Sequence, residues 1–144
     1  MSYYLAYGMN TNRQQMSARC PQARSLGTVK LHGHKLAFKG CCDVLEDVDG
    51  LVDCVLWDIT DKCEHALDLL EGYPYMYDKK HVKVKYKGRT IQAMIYYMTG
   101  NDRVSYPSES YLTMVVEGYL QHNISVKQIE QAIEEVDNVH CVRP

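Results

Sequence analysis

Apolar positions near the N-terminus predict a short strand followed by a loop and a helix. Residues 3–7 are apolar or aromatic and predict a strand that Gly8 interrupts. Asn10 or Thr11 is then placed to cap a helix that runs to about Ala18. A strand, a tight loop and a helix in this order are a common framework for a binding site.

The next stretch predicts two long strands separated by a turn. Residues 25–38 alternate loosely between apolar and polar types, which predicts a strand. The mostly apolar residues 51–59 suit a strand that is buried on both faces. Residues 47–50 contain two aspartates and a glycine and predict a turn before that second strand.

An amphipathic helix is predicted after these strands. Thr60 is a good N-cap, and apolar residues then recur at helical spacing: Cys63, Ala66, Leu67 and Leu70. Gly72 ends the predicted helix, and Pro74 lies just beyond it. Glu71 therefore falls in the last helical turn, at the border of the apolar face.

The second half of the chain predicts a β-hairpin and two helices. Residues 81–86 alternate between polar and apolar types, and Lys87-Gly88 turns this strand into a second one at residues 90–98. Two further helices are predicted from their N-terminal residues, which are Ser108 for the first and a capping box of Ser125 and Gln128 for the second.

The predicted elements number about five strands and four helices, without strict strand-helix alternation. This order predicts an α+β fold with a small mixed, barrel-like β-sheet flanked by helices. At 144 residues the chain has the size of one ordinary domain. We expect a single domain over residues 1–144.

Charge and hydropathy exclude two classes of partner. Sixteen Lys and Arg and 18 Asp and Glu give a formal net charge of −2 and are mixed along the chain, so no long-range field would attract phosphate polymers. No apolar run approaches the roughly 20 residues that span a bilayer. We therefore expect neither nucleic acid nor membrane as a partner.

The cysteines indicate a reducing compartment. No two form a C-x-x-C pair, the adjacent Cys41 and Cys42 cannot easily serve one structural bridge, and no signal-peptide pattern is recognised. We expect a cytoplasmic protein in which all six are buried small apolar residues. They are Cys20, Cys41, Cys42, Cys54, Cys63 and Cys141.

The position of Glu71 suggests a chemical role. The C-terminal end of a helix carries partial negative charge and favours Lys or Arg, so a glutamate there breaks a local rule. Its side chain also lies one turn after Leu67 and next to Leu70, which turns the carboxylate towards the interior. Both effects predict a pKa above the reference value of about 4.3, which suits a base at neutral pH. A helix-end glutamate without function is the alternative.

The loop Tyr7-Gly8-Met9-Asn10 is a candidate anion-binding site. A glycine directly after a strand lets successive backbone N–H groups point into a concavity that can hold a carboxylate. A plain strand-to-helix turn is the alternative.

Other catalytic classes lack their motifs. His32 and His34 would face the same side of a regular strand, but no third ligand lies at a recognisable spacing, so we expect no metal site. No G-x-S-x-G, P-loop or G-x-G-x-x-G occurs, so serine hydrolase, P-loop and dinucleotide enzymes have no support.

Several motifs resemble those of the γ-glutamylcyclotransferase-like family, which includes the plant AIG2-like proteins. YGMN at residues 7–10 resembles the family's Y-G-S-N loop, and LDLLEGYP resembles the helix whose E-G ending carries the family's general acid/base, here Glu71. The resemblance runs from about residue 3 to 120. It is also carried by VDCVLWDI at residues 52–59, Tyr77, Tyr96 and PSESY at residues 107–111.

The resemblance implies a cavity between the loop and the glutamate, and a reaction without cofactor. In that reaction the α-amine of a γ-glutamyl group attacks its own side-chain carbonyl, which releases an amine or amino acid and leaves 5-oxoproline. Glu71 is expected to transfer the protons, and the backbone of Gly8, Met9 and Asn10 to hold the α-carboxylate or the oxyanion. Substrate contacts are also expected from Tyr7, Tyr77, Tyr96 and Tyr111.

Because of two departures from the family pattern, the identity of the released amine or amino acid stays undetermined. Met9 replaces the serine of the loop, and Cys54 stands where the family usually has glycine.

Two non-enzymatic functions also stay open. One is a binding module that kept the cavity and lost turnover, and the other is an interaction protein whose surface carries the function.

Overall fold

Most apolar residues of the first hundred positions belong to five strands of one sheet in the computed structural model, which describes residues 2–140. The strands are β1 (Ser2–Ala6), β2 (Arg24–Lys39), β3 (Cys41–Ile59), β4 (Tyr77–Tyr86) and β5 (Arg89–Met98). Their order across the sheet is β2-β3-β1-β5-β4. β1 pairs antiparallel with β3 and parallel with β5, so the sheet is mixed. The edge strands β2 and β4 lie against each other, which curls the sheet.

Four α-helices flank this sheet, which confirms the predicted α+β fold class. They are α1 (Arg13–Arg19), α2 (Asp61–Glu71), α3 (Glu109–Gln121) and α4 (Lys127–His140). The predicted caps Thr60 and Ser108 accept hydrogen bonds at the starts of α2 and α3, because a side-chain oxygen there satisfies an otherwise unpaired N–H. Among the described helices, none is long and apolar enough to cross a membrane.

The core is filled from both the sheet and the helices. Burying a Leu or Ile side chain stabilises a fold by roughly 1.5–3 kcal/mol, so this layer supplies most of the driving force. Its largest fully buried side chains include Tyr119, Phe38, Leu5, Met16, Leu31, Leu56, Ile59, Leu67 and Ile95. On α2, Cys63 and Leu67 are buried as expected, whereas Leu70 is 48% exposed because the last turn of α2 reaches past the core to a cavity.

The predicted turn at residues 47–50 was wrong. β3 continues through these residues, which bulge outward opposite Gly33 of β2. The reversal between β2 and β3 is made at Gly40, whose φ is +77°. Pairing with β2 on both sides of the bulge overrides the turn preference of the two aspartates.

The same irregularity separates His32 from His34. Gly33 has a φ of +78° and shifts the register, so His32 is exposed and His34 is buried. The strand is therefore not regular at this point, which is the condition on which their shared orientation rested. Within residues 2–140 no group of three or more His, Cys, Asp or Glu is placed to hold a metal ion.

Two predicted helix starts also differ in detail. Residues Met9–Thr11 form a 3-10 turn, and α1 is capped by Asn12, whose side chain accepts from the N–H groups of Gln14 and Gln15 at 3.1 and 3.2 Å. At α4, Gln128 does not close a capping box. Its side chain instead bonds both backbone groups of Asp53 in β3, at 2.9 and 3.0 Å. The side chain of Gln128 is therefore held by a residue distant in sequence and not by its own helix start.

Candidate active site

A cavity of about 430 Å³ lies between the loop after β1 and the C-terminal end of α2. It has the size of a small-molecule site. All eight residues suggested by the sequence line it: Tyr7, Gly8, Met9, Asn10, Glu71, Tyr77, Tyr96 and Tyr111. The sequence patterns did not single out the other lining residues: Tyr4, Arg19, Cys41, Cys42, Leu69, Leu70, Gly72 and Met76.

The end of α2 brings Glu71 to the cavity. Glu71 is the last residue of the helix, and Gly72 follows in the left-handed conformation with a φ of +65°. A residue with a Cβ is disfavoured there by about 1 kcal/mol or more, so the glycine fixes the point at which the chain leaves the helix. The N–H of Gly72 closes the turn on the carbonyl of Leu69 at 3.3 Å. The Glu71 side chain therefore lies on the cavity wall and not in the helix face that packs on the sheet.

The carboxylate of Glu71 is half-buried and has no hydrogen-bond partner among the described residues. Burial raises the pKa of the Glu71 carboxyl above its ordinary value, and the positive charge of Arg19 opposes that rise. Such a group is ready to take a proton from a ligand, because no protein donor already stabilises its charged form.

Asp68, one turn earlier on α2, has the opposite environment. Its carboxylate accepts hydrogen bonds from the hydroxyl of Tyr96 at 2.6 Å and from the ammonium of Lys79 at 2.9 Å. Lys79 also bonds Glu64 at 2.7 Å, so the three charges form one network on the side of the helix. The carboxylate of Asp68 is therefore occupied by hydrogen bonds within the protein, whereas that of Glu71 is not.

The loop opposite Glu71 presents unpaired backbone donors. Its carbonyls are bonded within the 3-10 turn, since the N–H of Thr11 bonds Gly8 O at 3.1 Å and that of Asn12 bonds Met9 O at 3.0 Å. The indole N–H of Trp57 fixes the carbonyl of Asn10 at 3.0 Å. By contrast, the N–H groups of Gly8, Met9 and Asn10 donate to no acceptor in the described part of the chain. Three successive free N–H groups are suited to an anion.

Gly8 is required by close packing. A Cβ at this position would lie 2.9 Å from the Cβ of Cys42 and 3.1 Å from the hydroxyl oxygen of Tyr111. That hydroxyl in turn accepts the backbone N–H of Cys42 at 2.9 Å. The loop therefore sits directly on the start of β3, and only glycine fits there without displacement.

Arg19 joins the loop to the cavity. Its Nη1 donates to the side-chain oxygen of Asn10, and its Nη2 donates to the thioether sulfur of Met9 at 3.2 Å. A thioether is a weak acceptor, so a carboxylate would be a much better partner for that N–H. Arg19 is the last residue of α1, where a basic side chain is common for reasons of helix dipole alone, so the sequence held no signal for this role.

Three of the four predicted tyrosines have already committed their hydroxyl protons. Tyr7 donates to the carbonyl of Tyr96 at 2.8 Å, and Tyr77 donates to the carbonyl of Cys42 at 2.9 Å. Tyr96 donates to Asp68. Burial raises the pKa of all three hydroxyls, so they stay neutral at physiological pH. The three residues line the cavity, and their hydroxyl protons hold its walls in place.

The cysteine prediction needs one correction. Cys41 is exposed and lines the cavity, because it begins β3 directly after the Gly40 turn at the cavity rim. Partial burial and the charge of Glu71 raise the pKa of its thiol. Cys141 lies outside the described residues. The buried cysteines are Cys20, Cys42, Cys54 and Cys63.

Several solved structures share this fold. A protein named "Gamma-glutamyl cyclotransferase" superposes with a TM-score of 0.79 at 23% identity, over 99% of this chain and 88% of that chain. YkqA from Bacillus subtilis gives 0.79 at 21% identity, over 94% of this chain and 54% of that chain. An AIG2-like protein from Mus musculus gives 0.60 at 16% identity, over 78% and 82% of the two chains.

These structural likenesses, at such low identity, establish the fold. No curated protein sequence matches the chain. Residues 4–113 match the family model described as gamma-glutamyl cyclotransferase, AIG2-like, which is most of the chain and includes both the loop and Glu71. The chain therefore belongs to the γ-glutamyl cyclotransferase, AIG2-like family.

Proposed function

We propose that this protein is a cyclotransferase that cleaves a γ-glutamyl amide by attack of the substrate's own α-amine. The products are 5-oxoproline and a free amine or amino acid, and the protein's own groups carry the reaction without a cofactor. One observation supports this most strongly. The unbonded, half-buried carboxylate of Glu71 shares a cavity with the three unpaired N–H groups of Gly8, Met9 and Asn10.

The substrate presents two anionic sites, its α-carboxylate and the oxyanion that forms on the γ-carbonyl. Charge-assisted hydrogen bonds from fixed donors stabilise such groups, and removing one oxyanion donor costs about 10²–10³ in turnover in well-studied enzymes. The loop amides and the Nη2 of Arg19 are the donors that the cavity offers. We assign these donors to the two anionic sites.

Glu71 would carry both proton transfers. It accepts a proton as the α-nitrogen forms its bond to the γ-carbonyl carbon, and it returns that proton to the leaving nitrogen as the carbon–nitrogen bond of the amide breaks. No water is consumed, and the bond that forms balances the bond that breaks. Burial of Glu71 favours this exchange, because it raises the pKa of the carboxyl and so narrows the difference from the pKa values of the reacting nitrogens.

The tyrosines would enclose the glutamyl group. Tyr7, Tyr77, Tyr96 and Tyr111 line the cavity around Glu71. Their neutral hydroxyls cannot compete with Glu71 as bases. We assign them to contact with the substrate and to the shape of the site, which holds the amine near the carbonyl and lowers the entropic cost of ring closure.

We further propose that the protein is cytoplasmic and acts on a small molecule as a single domain. The five described cysteines are all unpaired, which suits a reducing compartment. Nucleic acid has no part in the proposed reaction.

The test is to incubate the purified protein with γ-glutamyl amino acids and γ-glutamyl amines and to measure 5-oxoproline. We expect product from at least one compound, and Glu71→Gln should lower its turnover by about 10²–10⁴-fold. Glu117→Gln is the matched control, because Glu117 is exposed on α3 and does not line the cavity. Circular dichroism would verify that both variants fold.

Two results would contradict the proposal. Tight binding of γ-glutamyl compounds without product is the behaviour of a binding module. Full activity of Glu71→Gln would remove Glu71 from the mechanism.

A further inference from the structure

The two ends of the cavity differ in chemistry. The inner end, defined here as the buried part of the lining, contains Gly8, Asn10, Tyr7 and Tyr96, with the half-buried Glu71 at its edge. The mouth is apolar. Its wall is the exposed part of the lining, formed by Cys41, Leu69, Leu70 and Met76.

The apolar side chains of the mouth are unusually open to solvent. Leu69 is 72% exposed and Met76 is 70% exposed, and both lie within eight residues of chain on one rim of the cavity. Tyr73 and Tyr75, between them in sequence, are also exposed. Single exposed apolar residues are ordinary, but a contiguous group at the edge of a cavity marks a surface that a ligand covers.

No described residue offers a free charge at the mouth. The charged residues that line the cavity are Arg19 and Glu71, and the proposed function uses both at the inner end. Lys79 lies over the ring of Tyr73 at 4.4 Å, but its ammonium is held by Glu64 and Asp68. A charged or polar side chain on the released amino acid would therefore find no partner among the side chains of the mouth, whereas an apolar one could cover them.

The position of Glu71 determines which part of the substrate reaches the mouth. The leaving nitrogen must lie beside the Glu71 carboxylate to receive its proton. Leu70 and Gly72 flank Glu71 in sequence and both line the cavity, as does Met76 beyond them. The group attached to the leaving nitrogen therefore extends from Glu71 along this apolar rim.

We infer that the preferred substrates are γ-glutamyl compounds whose released amine carries an apolar side chain, either branched aliphatic, thioether or aromatic. This inference rests on the proposed function for the identity of the reaction. It adds the chemical class of the leaving group, which the motifs left open.

The test compares substrates matched in size but not in polarity. The pairs are γ-glutamyl-leucine with γ-glutamyl-asparagine, and γ-glutamyl-methionine with γ-glutamyl-glutamine. We expect kcat/KM to be about tenfold or more higher for the apolar member of each pair, as for other partly open apolar pockets.

Variants locate the preference at the mouth. Leu70→Gln and Met76→Gln should each lower the apolar-to-polar ratio of kcat/KM several-fold, and both change an exposed side chain, so the fold should persist. Leu120→Gln is the control, because Leu120 is 65% exposed on α3 and lies outside the cavity lining. It should leave the ratio unchanged.

Failure of this inference is distinguishable from failure of the reaction. Equal kcat/KM for both members of each pair, with 5-oxoproline formed, overturns the apolar preference and leaves the proposed function standing. If no compound gives product, the reaction is wrong, and calorimetric titration of the wild-type protein with the same pairs then decides the preference. Tighter binding of the leucine and methionine compounds supports it, and equal binding or none overturns it.

Discussion

Two segments bound the cavity, residues 8–12 and residues 69–76, and they are built in opposite ways. The first is buried, and its side chains hold it in place: Thr11 Oγ1 donates to Gly8 O at 2.7 Å, and Asn12 Nδ2 donates to Met114 O at 3.0 Å. The second presents exposed Leu, Tyr and Met side chains and is held mainly by backbone turns.

Under the proposed function, this difference would separate two tasks within one site. Donors that stabilise developing charge must be fixed before the substrate arrives. This requires a segment whose carbonyls and side chains are hydrogen-bonded to the surrounding protein. A surface that selects among leaving groups needs only shape and polarity, so it tolerates exposure and loose packing. Glu71 stands where the two meet, since it belongs to the second segment but faces the first.

Among changes that leave Glu71 in place, the largest expected effect comes from disturbing the fixed segment at Gly8. Because the new Cβ would lie 2.9 Å from that of Cys42, we expect Gly8→Ala to shift the loop amides and to lower turnover about 100-fold. Gly100→Ala is the control, since its nearest contact would be an ordinary 3.5 Å. Turnover of 5-oxoproline is the measurement. Wild-type activity of Gly8→Ala would show that the loop does not need its present position.

Residues 8–12 can also be displaced from the side that packs against α3. A Cβ at Gly118 of α3 would lie 2.6 Å from the backbone nitrogen of Asn12. We expect Gly118→Ala to lower the free energy of unfolding by roughly 1–3 kcal/mol, as overpacking does, and to reduce turnover roughly tenfold. Denaturant titration and steady-state kinetics would measure both. A loss of stability without loss of turnover would mean that the loop adapts and that residues 8–12 are not a fixed segment.

Arg19 connects the two segments electrostatically. If it binds the α-carboxylate, Arg19→Gln should raise KM about tenfold. Its charge also lowers the pKa of Glu71, so its removal should raise that pKa and move the acidic limb of the kcat–pH profile to higher pH. Arg19→Lys keeps the charge and should leave the limb near its original pH. An unshifted limb in Arg19→Gln would exclude this coupling.

The smallest expected effect concerns stability at Glu71. The folded-state pKa of this carboxyl is raised, so the protonated form stabilises the fold and that contribution is lost as pH rises through the folded-state pKa. Glu71→Gln should therefore be slightly more stable than wild type at neutral pH, by less than about 1 kcal/mol. Thermal unfolding at about pH 7 and pH 4 would show the gap closing in acid. A less stable variant would contradict the sign.

Local chemistry made much of this molecule predictable. Thr60 and Ser108 cap their helices because each oxygen satisfies an N–H only three residues away. Lys87 and Gly88 turn the hairpin through positive φ angles of 50° and 75°, as that dipeptide suggested. The direction of the pKa shift of Glu71 was also predicted, although its cause in the structure is burial at the cavity wall.

The predictions that were wrong depended on partners far along the chain. Gln128 bonds β3 and not its own helix start, and residues 47–50 follow the pairing of β2 in place of a turn. Leu70 looked like a core residue by spacing, but the core ends one turn before it. Periodicity gives the face of a helix, but it does not say where along the helix the neighbouring layer stops.

The sequence by itself determined the order and type of the elements, the end of α2 at Glu71 and the motifs of the family. Only the tertiary structure brought Arg19 to the loop, left three loop amides unpaired and separated a polar inner end from an apolar mouth. The physical reason is that capping, helix ends and turns depend on residues within a few positions. The environment of a carboxylate depends on which distant segments exclude water from it, and that is decided when the sheet and helices pack.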